Sequence, residues 1–277
     1  LNRKPPATIR AVLEHIQEES EGEEARRFLD AMDMSPSVRG YFSGALKPIW
    51  SKHIQILSDP PIKWRGDDRE NWLVEYLLRD ISEAKRSVLL ISPYFVPGVE
   101  GTEGLVAMAE RGVDVSVITN SLAANDVLAV HGGYLRYRKP LLEGGVHLFE
   151  TRSQADSREA RRLFGSSGAS LHTKATLVDG HRGFVGSFNL DPRSANLNTE
   201  MGVMFDDPAL GAALFEEFRH LASPGMSYWV FLDADGRTRW LDRAEDPPVV
   251  LTTEPDSTPL QRLIASVVRW LPVESQL

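Results

Sequence analysis

The residues of this chain best suited to chemistry fall between Leu171 and Glu200, LHTKATLVDGHRGFVGSFNLDPRSANLNTE. His172 and Lys174 stand two apart, Asp179 follows after four residues, and Gly186-Ser187-x-Asn189 after six more. Six fixed identities at that spacing would recur by chance roughly once in 10^7 to 10^8 positions at average residue usage. The types are complementary. An imidazole titrates near neutrality and can attack phosphorus or protonate a leaving alkoxide, while Lys174, Ser187 and Asn189 can donate to phosphate oxygens. The carboxylates Asp179 and Glu200 complete the set, although a carboxylate before Gly180 also suits a plain turn.

Strands are the elements expected to present these groups. Residues two apart on a strand share a face, so His172 and Lys174 should project together with Thr173 turned away, and Ser187 and Asn189 should do the same on the next segment. Lys174 to Val178 and Gly183 to Ser187 are predicted to form a hairpin about Asp179-Gly180. Upstream, Ser87-Val-Leu-Leu-Ile91 is a continuous apolar run suited to a strand covered on both faces, and Val113 to Thr119 and Val146 to Phe149 are further strands. Amphipathic helices are predicted over Arg69 to Ala84, about Gly104 to Arg111 and near Asp126 to Leu142. This alternation predicts an α/β fold with a mixed, largely parallel β-sheet flanked by helices.

Beyond the motif, Glu200 to Phe205 is a predicted strand, Pro208 to Leu221 a helix, and Trp229 to Leu232 and Arg237 to Leu241 a second hairpin about Asp233 to Gly236. The polar segment Arg152 to Ser170 reads as a mobile loop. Two further helices, Ala7 to Gln17 and Glu23 to Met32, are predicted near the start. The breaker Asp59-Pro60-Pro61 suggests a boundary, giving residues 1–64 as a helical remnant, 65–245 as the catalytic lobe, and 246–277 as a Pro-rich linker with a C-terminal amphipathic helix.

Composition bounds the chemistry. The 277 residues are 42% hydrophobic and 25% charged, without a cysteine, so thiolate nucleophiles, disulfides and Cys-ligated metals are excluded. No apolar run approaches the roughly 20 residues that span a bilayer, and the first residues lack both an initiating Met and a signal-peptide core. A net charge of −8 works against a broad positive field for nucleic acid, so an anionic substrate needs local positive charge.

The His172, Lys174, Asp179 spacing resembles the HKD signature of the phospholipase D superfamily. Ile91-Ser-Pro-Tyr-Phe-Val-Pro97, Thr119 to Asp126, Tyr134-x-Arg136-Tyr137-Arg138-Lys139-Pro140 and Asp191-Pro-Arg-Ser-x-x-Leu-Asn-Thr-Glu200 extend the resemblance to the C-terminal half of bacterial cardiolipin synthases of the phospholipase D type. The resemblance implies a phospholipase D-like lobe and phosphatidyl transfer through a phospho-histidine, from phosphatidylglycerol to cardiolipin, with no metal or other cofactor. It implies catalytic roles for His172, Lys174, Asp179 and Glu200, Asp179 as a support and Glu200 as the carboxylate that orients the histidine of another motif. Ser187, Asn189 and Tyr94 would bind substrate. Such sites use two HKD motifs and this chain has one, since His15, His53, His131, His147, His181 and His220 are not followed by Lys at the second position. The expected partners are therefore an anionic phospholipid, a membrane surface, and either a missing N-terminal catalytic half or a second copy in a homodimer, with no nucleic acid. The expected location is peripheral, on the cytoplasmic face of the bacterial inner membrane. Hydrolysis of a phosphodiester, including nuclease action, and an isolated lobe that is inactive without its partner remain open. Arg136, Arg138 and Lys139 could meet headgroups or form an ordinary solvated face, Tyr94, Phe95 and Val96 could line an acyl groove or simply pack, and the helix with Trp270 could lie on a membrane or dock on its own domain.

Overall fold

The structure is a computed structural model that describes residues 36–45, 49–66, 68–153 and 171–271, together with Gly22 and Arg26. The helix predicted over Ala7 to Gln17 and the loop residues 154–170 lie outside the described residues. Of the helix predicted over Glu23 to Met32, Arg26 is described. It is helical, and its N–H donates to Gly22 O. Two compact units divide between Trp50 and Ser51. In the first, α1 spans Pro36–Phe42.

The second unit holds ten described strands in one sheet. In chain order they are β1 (Ile54–Ser58), β2 (Ser87–Ile91), β3 (Asp114–Asn120), β4 (His147–Thr151), β5 (Ala175–Val178), β6 (Arg182–Gly186), β7 (Met201–Asp206), β8 (Ser227–Leu232), β9 (Thr238–Asp242) and β10 (Val249–Leu251), and across the sheet they run β1-β7-β6-β5-β2-β3-β4-β8-β9-β10. The helices are α2 (Leu73–Ser82), α3 (Gly98–Glu110), α4 (Leu128–Glu143), α5 (Pro192–Asn196), α6 (Pro208–Leu221) and α7 (Pro259–Val268).

The mixed α/β sheet is present, but parallel order does not prevail in it. β2 pairs parallel with β3 and β3 with β4, each joined by a crossover helix; every other pairing is antiparallel. For two of the antiparallel pairings, β5–β6 and β8–β9, the physical reason is connection length. Asp179-Gly180 and Asp233 to Gly236 make tight hairpins, and a short turn can join strands only in antiparallel sense. Asp179 at φ +53 and Gly180 at φ +80 adopt the left-handed pair that such a turn requires.

The apolar run of β2 is buried on both faces as its pattern requires. Val88 and Leu90 join Val115, Val117 and the buried sides of α3 and α4, whereas Leu89 and Ile91 join Ile118, Ala175, Leu177 and α6 residues Phe218 and Leu221. A third cluster gathers Trp72, Leu73, Leu77, Phe184 and Phe188 around α2. Gly186 and Gly202 lie opposite each other in β6 and β7, and a Cβ on either would come within 2.4 Å of the Phe184 ring. That close approach accounts for the glycine of Gly186-Ser187-x-Asn189.

The expected boundaries shift at both ends. β1 pairs in register with β7, from Ile54 opposite Phe205 to Ser58 opposite Met201, so residues 54–64 belong to the sheet unit rather than to an upstream remnant. Downstream, β10 pairs with β9, and the α7 residue Val268 lies where a Cβ on Gly132 of α4 would be 2.7 Å from it, so the tail docks on the same unit.

Asp179 belongs to this framework. Its carboxylate accepts from the backbone N–H groups of Lys85 (3.1 Å), Arg86 (2.7 Å) and Ser87 (3.1 Å), tying the β5–β6 turn to the start of β2. Burial pushes its pKa up, but those three donors and Arg182 together outweigh it and hold the carboxyl below its usual range. Asp179→Asn is expected to lower the urea midpoint at pH 7, by about 1–3 kcal/mol of lost stability. Because the folded pKa is depressed, the wild-type advantage is full above the unfolded carboxyl pKa and fades as pH falls through the folded value. Equal stability of both proteins at neutral pH would contradict it.

Candidate active site

The site forms where β2 and β3 end and β5 begins. Asn120, the last residue of β3, fixes the approach to the motif: its Oδ1 accepts from Leu171 N (3.1 Å) and from Thr151 Oγ1 (2.9 Å), and its Nδ2 donates to Leu171 O at 3.3 Å. Leu171 is buried, and His172 follows it into solvent. Among the described residues the His172 ring has no hydrogen-bond partner, so the imidazole is free for a substrate. The Lys174 ammonium is buried and donates to His172 O at 2.8 Å, so the motif folds back on itself before β5 starts. Burial pulls the Lys174 pKa down, opposed first by the charge of Glu200 and then by Asp191 and Asp126.

Beside Lys174, the segment from Ser187 to Glu200 closes into a loop of mutual hydrogen bonds. Ser187 N donates to Met201 O (2.9 Å), Met201 N to Ser187 Oγ (3.0 Å), and Ser187 Oγ makes a very short bond to Glu200 Oε2. Ser194 Oγ donates to Glu200 Oε1 (2.9 Å) and accepts from Asn189 N (3.3 Å). The loop is organised by α5, where Asp191 is the N-cap, accepting from Ser194 N at 2.7 Å, and Pro192 opens the helix. Asn189 is buried, and its Oδ1 has no partner among the described residues. A buried unpaired carbonyl oxygen is costly, which makes it a candidate contact for a substrate hydroxyl.

The expected residues are therefore brought together in part. His172, Lys174, Ser187, Asn189 and Glu200 converge. Glu200 is 5% exposed with both oxygens taken by serine hydroxyls, so reaching the histidine of another motif would require those bonds to share or yield. Asp179 sits at the other end of β5, roughly 15 Å away at the strand rise of about 3.3 Å per residue, and is removed from the catalytic set. The Tyr94 hydroxyl donates to Asp126 Oδ1 at 2.7 Å, and burial, with that bond, pushes its pKa well above the usual phenol value. Tyr94 is therefore tied to Asp126, whose charge acts on Lys174 and which the sequence alone did not single out.

The basic cluster of α4 is also reassigned. Arg138 is buried between Glu150 (3.1 Å) and Glu254 (2.7 Å) and stacks over Trp240, while Arg136 donates to the carbonyls of Arg269 and Leu271 at the end of α7. Both arginines thus tie parts of the fold together, and exposed Lys139 pairs with Glu143 at 3.6 Å.

A buried ion pair supports the site from beneath. Lys63 Nζ lies 2.7 Å from Asp59 Oδ2, neither side chain exposing any surface, and also donates to Ser194 O at 2.7 Å. Asp59 accepts in turn from Leu73 N (2.8 Å) and Glu200 N (3.0 Å). The i,i+4 spacing of Asp59 and Lys63 was the available signal, but Pro60-Pro61 between them read as a breaker.

An exposed histidine, a buried lysine and a buried amide at one end of an α/β sheet have the chemistry to handle a phosphodiester. Residues 77–222 match the family "Cardiolipin synthase, PLD-like domain", and the chain belongs to that family, within the phospholipase D superfamily. It is 40% identical over 253 residues to cardiolipin synthase C of Escherichia coli, covering 90% of this chain and 53% of that protein. Cardiolipin synthase A of Cronobacter sakazakii is 34% identical over 147 residues, 53% of this chain and 27% of the other. An uncharacterized Helicobacter pylori protein is 32% identical over 192 residues, 69% of this chain and 38% of its own length. The chain thus spans about half or less of these relatives. A phospholipase D family member from Salmonella typhimurium superposes with a TM-score of 0.44 at 20% identity, over 60% of this chain and 91% of that one.

Lys63→Met leaves Asp59 charged and buried without its partner and is expected to destabilise the protein by about 3–5 kcal/mol. The Asp59→Asn, Lys63→Met double variant should lose less than the sum of the single changes, measured by urea unfolding. Additive losses would mean that the pair is not coupled.

Proposed function

We propose that this chain supplies one half of a two-motif active site that transfers a phosphatidyl group through a phospho-histidine, most specifically to make cardiolipin from phosphatidylglycerol. The observation that carries the proposal is the exposed imidazole of His172, without a hydrogen-bond partner among the described residues, beside the buried ammonium of Lys174 and the amide of Asn189. With His172 as nucleophile, a ring nitrogen forms a bond to phosphorus as the phosphorus–oxygen bond to glycerol breaks, and a second acid protonates the departing alkoxide. The hydroxyl of another phosphatidylglycerol then attacks phosphorus, the phosphorus–nitrogen bond breaks, and the hydroxyl proton returns to the base. Lys174 and the Nδ2 of Asn189 donate to the non-bridging oxygens, while Asn189 Oδ1 accepts from a substrate hydroxyl; Glu200, fixed by Ser187 and Ser194, steadies the ammonium. The similarity to cardiolipin synthases C and A supports the choice of lipid.

The second motif would come from an N-terminal half or from another copy of the chain. Attachment at an anionic membrane surface, peripheral and on the cytoplasmic side, belongs to the same proposal. Among the described residues no helix is long and apolar enough to cross a membrane, whereas α7 and the residues just after it expose Leu260, Leu263, Val267 and Trp270.

Full-length protein incubated with phosphatidylglycerol is expected to yield cardiolipin and glycerol by lipid mass spectrometry, and His172→Ala to reduce the yield by at least about 10^3-fold, the scale for loss of a nucleophile. Retained transfer in His172→Ala would remove His172 from the chemistry. Cleavage of DNA with the lipid left intact would favour the nuclease alternative, against which the net charge of −8 argues.

A further inference from the structure

The molecule contains a second feature on the far side of the segment that carries Asn189. A cavity of about 720 Å³ opens between α2 and α3, with Val74, Leu77 and Ile81 on one wall and Leu105 and Met108 on the other. Its volume falls within the roughly 300–1,000 Å³ of small-molecule sites. Phe188 and Leu190 line it while the intervening Asn189 belongs to the active site, as alternation along an extended segment requires. That segment is held in place: Leu190 N donates to Ser92 Oγ (3.0 Å) and Val96 N donates to Leu190 O (2.8 Å). One layer of backbone therefore separates the apolar cavity from the groups proposed to bind phosphate.

Resting on the reading under Proposed function, we propose that this cavity seats one fatty acyl chain of the phospholipid whose phosphate lies at His172 and Lys174. The chemistry of the lining selects an alkyl chain over a peptide. Four of the polar side chains along it are already committed to the protein, Arg69 to Glu75 and Asn196, Ser82 to Arg79 O, and Asp191 to Ser194 N, while Glu100 and Arg111 stand at its exposed rim. A peptide strand would bring N–H and C=O groups with few partners here, each costly to bury, and an alkyl chain brings none. At the rim, Leu78, 48% exposed, and Val99, 63% exposed, add apolar surface beside those two charged residues. On α3, Gly104 faces the opening, and a Cβ there would meet nothing within 4 Å. Alanine would fit at this point and favour the helix, whereas a long side chain there would reach into the opening.

The test uses the full-length protein and phosphatidylglycerol carrying a diazirine at the end of one acyl chain, irradiated and mapped by peptide mass spectrometry. Label is expected on the α2 and α3 residues Leu77, Ile81, Leu105 and Met108, and to fall about tenfold in Gly104→Leu, because losing the burial of two methylenes already changes binding that much. Gly104→Ala, which leaves the mouth open, should label as the wild type does and melt at an equal or higher temperature. Label confined to other surfaces, or label in the cavity that Gly104→Leu leaves unchanged while still folded, would overturn the acyl site; so would a cavity that takes no label because another segment of the protein fills it. The two proposals fail separately. Cavity labelling in a protein that transfers no phosphatidyl group keeps the acyl site and sinks the transfer reaction, and transfer with no cavity label does the reverse.

Discussion

The structure depends first on one buried ion pair. Asp59 and Lys63 expose no side-chain surface, and a charge so placed persists only when it is paired and its remaining hydrogen-bonding capacity is filled. Here the filling is done by the parts that build the site: Leu73 N at the start of α2, Glu200 N before β7, and Ser194 O in α5. Because each of those contacts is to backbone, the pair sets chain positions. Glu200 and Ser194 are placed together, Ser194 then reaches Asn189, and Glu200 reaches Ser187. The ion pair therefore acts at the site without touching it.

Above that support the site is an electrostatic compromise. Lys174 is buried, which disfavours its charge, and faces Glu200, Asp191 and Asp126, which favour it. A phosphodiester entering such a site would bring its own negative charge to the same ammonium, so the carboxylates must be held by other donors. They are: Glu200 by two serines, Asp191 by the N-terminus of α5, and Asp126 by Tyr94. His172 lies outside this tightly bonded set, exposed and anchored by the preceding residue through Asn120.

How legible this was in the sequence differed with the range of the interactions involved. The buried run Ser87 to Ile91, the Asp179-Gly180 hairpin and the helices near 73–82 and 128–143 were readable because periodicity and turn chemistry are local. Type and spacing singled out His172, Lys174, Ser187 and Asn189, and the resemblance Glu200; the structure brings these five near one another. Strand order was not readable: alternating helix and strand suggested mainly parallel pairing, and nothing local revealed that β5 pairs antiparallel with β2 or β7 with β6. Asp59-Pro60-Pro61 looked like the end of a domain because two prolines interrupt any regular element, yet the same residues carry the central ion pair. Arg138 was open between surface and interior because Glu150 and Glu254, which neutralise it, lie 12 and 116 positions away along the chain. Asp179 illustrates the opposite difficulty. Its place in the motif suggested chemistry, while its φ of +53 and its three backbone donors give it a structural task.

The central claim, that His172 carries the transferred group, is tested most directly by trapping the intermediate. Full-length protein mixed with phosphatidylglycerol and quenched within one turnover should yield, by peptide mass spectrometry under conditions that preserve phosphorus–nitrogen bonds, a phosphatidyl adduct on the peptide containing His172. An adduct on a different histidine with the His172 peptide unmodified would contradict the assignment of His172 as nucleophile.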